Sequence, residues 1–468
     1  MREETQSHNI CLPTTFLIVG LLLFSSQILA QRPPTVPINL SYLRVDFIIP
    51  GARPSGLGGA FIGAAQDETA APINPAGLIY LKSAGASLHQ RRARFNFKEP
   101  GGSPTNPNAK RKFYSSNFDQ TLVSVFAPFR KFTFAIFRQV AFDSRFNFET
   151  QQFFTTNSDL TTRQVLGGLG NFPGRIVDLE LELVNDGLSI AFAISKRFSI
   201  GITGKTSVLN FKLNEQTFLD PQVSNGNSPR GNSAATTYSI TTLDERNTEP
   251  SFSLGLMGKL IVDKLFAGAV LNLNPSFKLN SHIFLPEYKL DSESFPAESP
   301  EPENTDFKLS VPDTYGFGLY FVANSRLRFA FDVVRIEYSD LLFSNNLNVV
   351  VDDVFNSQTG AYEDPDMKDD LTIDDATEYH FGIELLNKIP KLGLIPLRFG
   401  IFTNPGHRIY TSGNDPDFQR LFPKAKDRIH FTFGLGILLS SYLKFDGSIN
   451  VSADGFEIVG STLLTVPL

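Results

Sequence analysis

Residues that could carry out catalysis are few and scattered along the chain. No His-Glu-x-x-His or similar paired spacing, which would bind a catalytic metal, joins any two of the histidines. A Gly-x-Ser-x-Gly nucleophile motif is also absent. The chain has six histidines, His8, His89, His282, His380, His407 and His430. We expect a lone histidine on a strand to be lumenal or interfacial rather than a metal ligand. The sequence therefore predicts no enzyme, no catalytic residue, no metal site and no cofactor.

A glycine-rich stretch, Gly58–Gly63, invites comparison with a phosphate-binding loop. No Lys-Ser/Thr pair follows Gly63, and Phe61 stands where the third glycine of Gly-x-Gly-x-x-Gly would be. Small residues also let backbones approach closely, which is the other use of such a stretch. We therefore predict packing rather than phosphate binding for Gly56, Gly58, Gly59 and Phe61.

Charge is concentrated in two acidic stretches, at 287–306 and 352–375. Clustered carboxylates could bind a divalent cation, or they could be solvated surface loops, because no EF-hand spacing is present. Basic pairs such as Arg130/Lys131 flank several short turns and could contact lipid headgroups or only water. The formal net charge of −6 argues against a nucleic-acid partner.

One motif with a clear physical logic is Asn74-Pro75-Ala76-Gly77, within the small-residue stretch Gly51–Leu78. Asparagine is a good N-cap, proline suits the first helical position, and glycine suits a left-handed exit. The motif predicts a single tight helical turn. Since the whole stretch is almost free of bulky residues, we predict that it fills the inside of whatever the following strands build.

The N-terminus reads as a secretory signal at residues 1–30, with an apolar run at Phe16–Phe24 and cleavage after Ala30. The single cysteine, Cys11, lies inside this segment, so the mature chain has no thiol. An exported chain without cysteine fits a bacterial envelope protein. The rest of the sequence contains no run of about 18 apolar residues, so it predicts no transmembrane helix.

From Ala84 onward the apolar residues alternate with a period of two, as in strands with one apolar face. Leu179, Leu181 and Leu183 are odd-numbered, whereas the apolar residues from Leu188 to Ile194 are even-numbered. This change predicts a β-bulge near Asn185–Gly187.

Short turns and long polar stretches alternate between about fourteen such strands. The short turns lie at 128–131, 195–197, 262–264, 323–326, 387–391 and 440–442, and the long stretches at 98–117, 155–175, 220–236, 290–306, 345–374 and 407–426. Outer-membrane barrels have this alternation of periplasmic turns and surface loops. The 44 phenylalanines suit lipid-facing strands. We predict an all-β fold, a transmembrane antiparallel β-barrel at 84–468, preceded by an N-terminal extension and lumenal hatch, or plug, at 31–83.

Several stretches resemble the FadL/TodX (OMPP1) family of outer-membrane transporters of hydrophobic compounds. The resemblance is strongest in the hatch, from Ala52-Arg-Pro to Asn74-Pro-Ala-Gly-Leu78. Pro312–Asp340 is similar to the family's mid-barrel hairpin, and Leu397–Pro405 and His430–Gly436 to its later strands. This chain departs from the family in reading Gln66-Asp67-Glu68-Thr69-Ala70 where Asp-Asp-Ala-Thr-Ala is usual. A branch similar to PorV of the type IX secretion system shares the N-terminal motif.

The resemblance implies a plugged fourteen-stranded barrel in the bacterial outer membrane. It implies passive uptake of a hydrophobic small molecule, a long-chain fatty acid or an aromatic hydrocarbon, with a substrate gate at Asn74, Pro75, Ala76 and Gly77. It also implies outer-membrane lipids, lipopolysaccharide and the barrel-assembly machinery as partners. A PorV-like adaptor for secreted proteins is the alternative, and a general hydrophilic porin is a third.

Overall fold

The computed structural model describes residues 43–100, 110–150, 153–154, 171–172, 174–219, 236–284, 288–290, 293–295, 303–343, 354–356, 361–363, 371–390, 393–413, 419, 423–440 and 442–466. The predicted signal peptide lies outside the described residues, as does the start of the predicted hatch. So do most of the two acidic stretches.

One antiparallel sheet contains nearly all of the strands. We label these β1 Ala84–Pro100, β2 Lys110–Phe129, β3 Phe132–Thr150, β4 Gly174–Ala193, β5 Phe198–Leu219, β6 Thr236–Ile261, β7 Leu265–Leu273 with Ser276–Phe284, β8 Glu303–Ser310 with Thr314–Val322, β9 Leu327–Ile336, β10 Ala376–Ile389, β11 Gly393–Asn404, β12 Arg428–Leu438, β13 Leu443–Ser452 and β14 Gly455–Val466. Four short pairings lie outside it, Phe153–Phe154 with Asn171–Phe172, Tyr288–Leu290 with Glu293–Phe295, Val354–Asn356 with Ala361–Glu363, and Leu371–Thr372 with Tyr410–Thr411.

The sheet closes on itself as a barrel. Its sixteen segments run as one series of neighbours. Two of the strands, β7 and β8, are each interrupted near a proline, at Pro275 and Pro312, and proline cannot donate to a ladder. The two parts of β7 pair with the matching parts of β8. Both parts of β7 also pair with β6 on the other side. The ring closes through β1 and β14, so the barrel has fourteen strands and the predicted fold class is confirmed.

Short connections join the strands at one end of the barrel, which we call the short-turn end; the opposite end is the long-loop end. Turns of this kind link β2 to β3 and β4 to β5, and they match the predicted positions. The start of β2 differs, since it lies at Lys110 rather than at 117. The reason is that the polar residues of β1 and β2 continue to pair up to Pro100 and Lys110.

The wall reverses its polarity part of the way along several strands. On β5, towards the short-turn end, Phe198, Ile200 and Ile202 face outward and Ser199 and Thr203 face inward. Further along, the inward residues become Leu209, Phe211 and Leu213, all buried, while Lys212 and Asn214 face outward. The barrel is therefore apolar outside at the short-turn end and apolar inside at the long-loop end.

The predicted β-bulge near Asn185–Gly187 is wrong, because the apolar residues change from one face of β4 to the other without a bulge. Odd-numbered residues of β4 are buried on both sides of that point, and β4 pairs with β5 without a shift of register. The bulge lies on β3 instead, between Val140 and Phe142, opposite Val184 and Leu183. What changes along β4 is the chemistry of each face, not the phase of its backbone.

Residues 43–83 form what we call the N-terminal segment. It contains α1 Ala52–Gly56, α2 Ala70–Ile73 and a 3₁₀ helix at Pro75–Tyr80, and a further helix, α3 Asp340–Phe343, follows β9. Helix α1 contacts β11 to β14, mostly β12 and β13, whereas the 3₁₀ helix contacts β3 to β6, mostly β4 to β6. These two groups of strands are half a turn apart in the ring, so the N-terminal segment crosses the inside of the barrel. Among the described residues, no helix is long and apolar enough to span a membrane.

Candidate binding site inside the barrel

The glycine-rich part of the N-terminal segment packs directly on the wall. Gly56, Gly58 and Phe61 are buried. Gly58 and Gly59 have positive φ values of 64° and 78°, where side chains are strained. A Cβ at Gly58 would lie 2.8 Å from the Ile401 amide nitrogen, and one at Gly59 would lie 2.7 Å from His380 Nδ1. Glycine is needed here both for the turn and for the close approach.

Asn74 joins the N-terminal segment to itself and to the wall. Its side-chain nitrogen donates to the carbonyl of Ile62 at 3.0 Å and to the carbonyl of Leu256, on β6, at 3.1 Å. Its side-chain oxygen accepts from the Ala76 amide at 3.3 Å and so caps the 3₁₀ helix. The predicted cap and the predicted place of Pro75 in the first helical turn are both found.

Gly77 does not end the helix as predicted. The 3₁₀ helix continues to Tyr80, and Gly77 is not among the glycines with positive φ. A Cβ at Gly77 would collide with the carbonyl of Ala65, so glycine serves close packing here rather than a left-handed exit. Ala76 contacts the wall through its carbonyl, which accepts from Ser199 Oγ at 2.9 Å.

Two side chains of the wall bind the backbone of the N-terminal segment around Gly58–Ile62. Asp332, on β9, accepts hydrogen bonds from the amides of Phe61 and Ile62 at 2.5 and 2.6 Å. His380, on β10, has Nδ1 2.7 Å from the carbonyl of Gly58. Both side chains are buried, at 0% and 5% exposure. Side chains of the wall therefore hold this turn by binding its backbone amides and carbonyl. The sequence of the turn does not reveal these contacts, because its own side chains take no part in them.

A buried ion network links α1 to the strands on the same side. Arg53 pairs with Asp67 at 3.0 Å and with Glu384 on β10 at 3.2 Å. Arg398, on β11, also pairs with Glu384 at 2.9 Å and with Asp446 at 2.6 Å. Burial alone would lower the pKa of Arg53, but Glu384 and Asp67 raise it well above its usual value. Arg53 therefore stays charged as it ties the segment to the wall.

Glu68 lies next to this network without sharing in it. Burial, reinforced by the charge of Asp67, raises the pKa of the Glu68 carboxyl to about 7. Its Oε2 atom is buried and has no hydrogen-bond partner. Glu68 is thus a buried acid that changes charge near neutral pH.

A cavity of about 190 Å³ lies between the N-terminal segment and the wall. Apolar side chains form about half of its lining, and these are Phe47, Ile48, Ile49, Pro50, Ile62, Pro72, Ile73, Ala141, Val270, Val334 and Ile336. Ala141 and Ile336 also belong to the apolar cluster that fills the barrel towards the long-loop end. The cavity therefore adjoins the apolar interior on one side and the N-terminal segment on the other.

The cation in the cavity wall is Lys205, which projects inward from β5. Lys205 forms no hydrogen bond and no ion pair within 4 Å among the described residues. Asp313 acts on it only electrostatically. The cavity thus combines a group of apolar side chains with one ammonium group, while the acid in its lining, Glu378, lies 3.2 Å from His380. Such a site suits a molecule with a long apolar body and one negative charge.

Residues 43–50 separate this cavity from a second, polar cavity of about 100 Å³. Phe47, Ile49, Glu378 and His380 contribute to both. The polar cavity is lined by charged groups that include Arg44, Asp46, Arg91, Asp143, Arg145, Glu378, Arg428 and Glu457. An apolar molecule is therefore expected to enter the first cavity and not the second.

Three carboxylates outside the two predicted acidic stretches also come together. Oxygen atoms of Asp313, Glu337 and Asp340 lie within 4.8 Å of one another between β8, β9 and α3. The sequence analysis did not single them out. The acidic stretches that were predicted to bind a cation or to be solvated lie largely outside the described residues.

Sequence reasoning also missed Lys205, Asp332 and Glu384. For Lys205 a signal was available. The inward positions before it on β5 are Ser199, Gly201 and Thr203, so the same alternation places a lysine inside the barrel. For Asp332 and Glu384 there was no such signal, because their partners are backbone amides and arginines that are distant in sequence.

Comparison with known proteins agrees with this architecture. Residues 46–381 match the family described as outer membrane protein transport protein (OMPP1/FadL/TodX). No curated protein sequence matches the chain.

Three solved structures illustrate the similarity. A Pseudomonas aeruginosa FadL homologue is 15% identical with a TM-score of 0.58, covering 90% of this chain and 99% of its own. The toluene transporter TodX of Pseudomonas putida is 15% identical with a TM-score of 0.53, covering 89% and 98%. The CymD monoaromatic hydrocarbon channel is 14% identical with a TM-score of 0.52, covering 89% and 97%. At these identities the likeness establishes the fold.

Proposed function

The chain belongs to the OMPP1/FadL/TodX family of outer-membrane transport proteins, and on that basis we propose that it takes up amphipathic, long-chain hydrophobic molecules passively. The observation that carries this proposal is the apolar cavity beside the N-terminal segment, with Lys205 in its wall. The protein is an outer-membrane β-barrel, so the short-turn end faces the periplasm and the long-loop end faces outward.

The apolar interior supports a route for such a molecule. Leu209, Phe211 and Leu213 give the outer half of the barrel an apolar inside, where burial of apolar surface provides roughly 25 cal/mol per Å². The cavity follows at the inner end of this region. A ligand arriving from outside would move from the apolar interior into the cavity without crossing the polar one.

The N-terminal segment would act as the hatch below that cavity. It crosses the barrel between opposite groups of strands, and Asn74, Asp332 and Arg53 tie it to the wall. In this proposal, Asn74, Pro75, Ala76 and Gly77 form the gate region, and Gly56, Gly58, Gly59 and Phe61 pack it against β10 to β12. Transport then requires that some of these ties break for a time.

Lys205 favours a long-chain fatty acid over an aromatic hydrocarbon. TodX is named as a toluene transporter and CymD as a monoaromatic hydrocarbon channel, and neither of those ligands carries a charge. A carboxylate would supply the partner that Lys205 lacks among the described residues, and charge-assisted hydrogen bonds are the stronger kind. We therefore propose that the carboxylate lies at Lys205 and the alkyl chain lies along the apolar wall.

Vesicles that contain the purified barrel and a sensor for the ligand inside would test this function. Hexadecanoate should enter faster than into vesicles without protein, and toluene should gain less from the barrel than hexadecanoate does. Equal rates with and without the barrel, for hexadecanoate as well as toluene, would overturn the proposal.

The family consists of transport proteins rather than enzymes, and we infer no catalytic role. Neither the family match nor the similar channel structures favour a PorV-like adaptor for secreted proteins. Assembly by the barrel-assembly machinery stays a prediction.

A further inference from the structure

The outward face of the β1–β2 hairpin carries several cations that form no salt bridge with the described residues. Between residues 90 and 118 the sequence contains seven basic residues and one acid, Glu99. Four of the basic residues are exposed on the outward side of the two strands, and these are Arg92, Arg94, Lys98 and Lys112. We call these four the β1–β2 cationic face.

Within the described part of the chain, none of the four forms a salt bridge. The nearby acids Asp119 and Glu457 point inward and pair with Arg91, at 3.0 Å each. Outward arginines on other strands differ, since Arg138 on β3 pairs with Asp186 at 3.3 Å and Arg335 on β9 with Asp375 at 2.8 Å. The lack of partners is therefore a property of this face and not of outward arginines in general.

Like charges also stand directly opposite one another in this face. Lys98 is the cross-strand partner of Lys112, and such a pair destabilises a sheet. Arg94 and Lys112 lie over the ring of Tyr114, at 5.1 and 5.4 Å from its centre, which orients them but supplies no negative charge. A bound anion would remove the repulsion.

The height of the face on the barrel identifies the anion. On β14 the outward apolar residues run from Val466 to Phe456, and ten residues of a tilted strand span about 25 Å, the height of the apolar band of a membrane barrel. Arg92 pairs with Ile458 and Arg94 with Phe456, at the outer edge of this band. Phosphates of outer-leaflet lipids lie at that level.

We propose that the β1–β2 cationic face binds the phosphorylated headgroup of an outer-leaflet lipid of the lipid A type. Arginine can grip a phosphate through two parallel hydrogen bonds, and lysine adds a point charge. The ring of Phe118, 68% exposed and opposite Arg92, would lie against the upper part of the acyl chains. The proposal depends on the location of the barrel and not on its ligand.

Native mass spectrometry of the full-length barrel, titrated in detergent with lipid A, would test the assignment. A variant with R92Q, R94Q, K98Q and K112Q should bind bisphosphorylated lipid A at least about tenfold more weakly than the wild type does. The reason is that several surface cations each attract an anionic headgroup. The matched control with R138Q and R335Q, whose arginines are already paired with Asp186 and Asp375, should bind as the wild type does. Unchanged binding by the fourfold variant would overturn the proposal.

Two further sets of measurements test whether the phosphate must belong to a lipid and whether each variant is folded. Lipid A should bind more tightly than its form without phosphates, and inorganic phosphate at the same concentration should not displace it. Displacement by inorganic phosphate would refute the lipid assignment. R92K with R94K should retain most of the binding, and resistance to unfolding by sodium dodecyl sulfate should show that every variant is assembled. Uptake of hexadecanoate, measured separately, should not change in the fourfold variant.

Discussion

The carboxylate of Asp332, on strand β9, accepts a hydrogen bond from the backbone amide of Phe61 over a sequence separation of 271 residues. The same oxygen accepts from the next amide, that of Ile62. Anionic acceptors of backbone amides form the stronger class of hydrogen bond. This contact therefore holds the N-terminal segment at the point where it turns along the wall.

Changing Asp332 to Asn should loosen that turn. The neutral amide keeps one acceptor but loses the charge, which we expect to weaken the contact by about 1–2 kcal/mol. Hydrogen exchange at Phe61 and Ile62 should then be roughly tenfold faster. Asp306→Asn, on the exposed outward face of β8, is the control. Equal exchange in both variants would show that Asp332 does not anchor the segment.

Changing Asn74 to Ala should raise the rate of hexadecanoate uptake in vesicles by several fold. The substitution removes the donors to Ile62 and Leu256 and so frees the gate region from β6. Asn74→Asp retains the cap on Ala76 but also lacks both donors, so it should behave like Asn74→Ala if the tie to the wall matters. Asn214→Ala, on the outward face of β5, is the control. If Asn74→Ala assembles correctly and transports at the wild-type rate, Asn74 is not part of a gate.

Glu68 should make the barrel less stable as the pH rises. Its pKa is raised from 4.5 to about 7 by burial and by Asp67, so between these values the folded state binds more protons than the unfolded state. The stabilising effect is greatest below about pH 4.5 and is lost as the pH rises through 7. Its full size is about 3 kcal/mol.

Glu68→Gln isolates this contribution because it removes the charge and keeps the shape. The stability of the variant relative to the wild type, measured by urea unfolding in lipid vesicles, should increase by up to about 3 kcal/mol between pH 5 and pH 8. The difference therefore measures the burial of the Glu68 carboxyl together with its interactions with Asp67, Lys444 and Asp446. A difference that does not vary with pH would contradict the raised pKa.

Lys205 should distinguish charged from neutral ligands. In Lys205→Met, uptake of hexadecanoate should fall about 10- to 100-fold, because one hydrogen bond to a charged group is worth about 1.5–3 kcal/mol. Uptake of hexadecanol, which has the same chain without the charge, should hardly change. Lys212→Met, outward-facing on the same strand, is the matched control. An equal loss for both ligands would mean that Lys205 supports the cavity rather than the carboxylate.

Most of the barrel was predictable from the sequence because alternation and loop length are local properties. The fourteen strands and the short turns follow from them. The reversal of polarity on β4 was visible too, but it was wrongly interpreted as a bulge. Alternation alone cannot separate a change of backbone phase from a change in which face is apolar, and the pairing partner decides between them.

The binding site was much less predictable because it is assembled from residues that are far apart in the chain. The cap of Asn74 on Ala76 is local and was foreseen, whereas its bond to Leu256 is not local. Gly77 matched a helix-ending pattern, but its contact with Ala65 decides its role. The cavity also depends on residues 43–50, whose sequence shows no motif.

The reversal of polarity along β4 and β5 has one more consequence, for the depth at which the barrel sits in the bilayer. A movement inward by two residues along β5 would bring Lys212 and Asn214 closer to hydrocarbon and expose Phe198 to water. A movement outward would draw the turn residues Lys196 and Arg197 towards hydrocarbon. A lysine on the lipid face costs about 2–4 kcal/mol at the bilayer centre and much less near its surface. The same feature that makes the outer interior apolar therefore fixes the vertical position of the protein, and a membrane of different thickness would have to adapt to it.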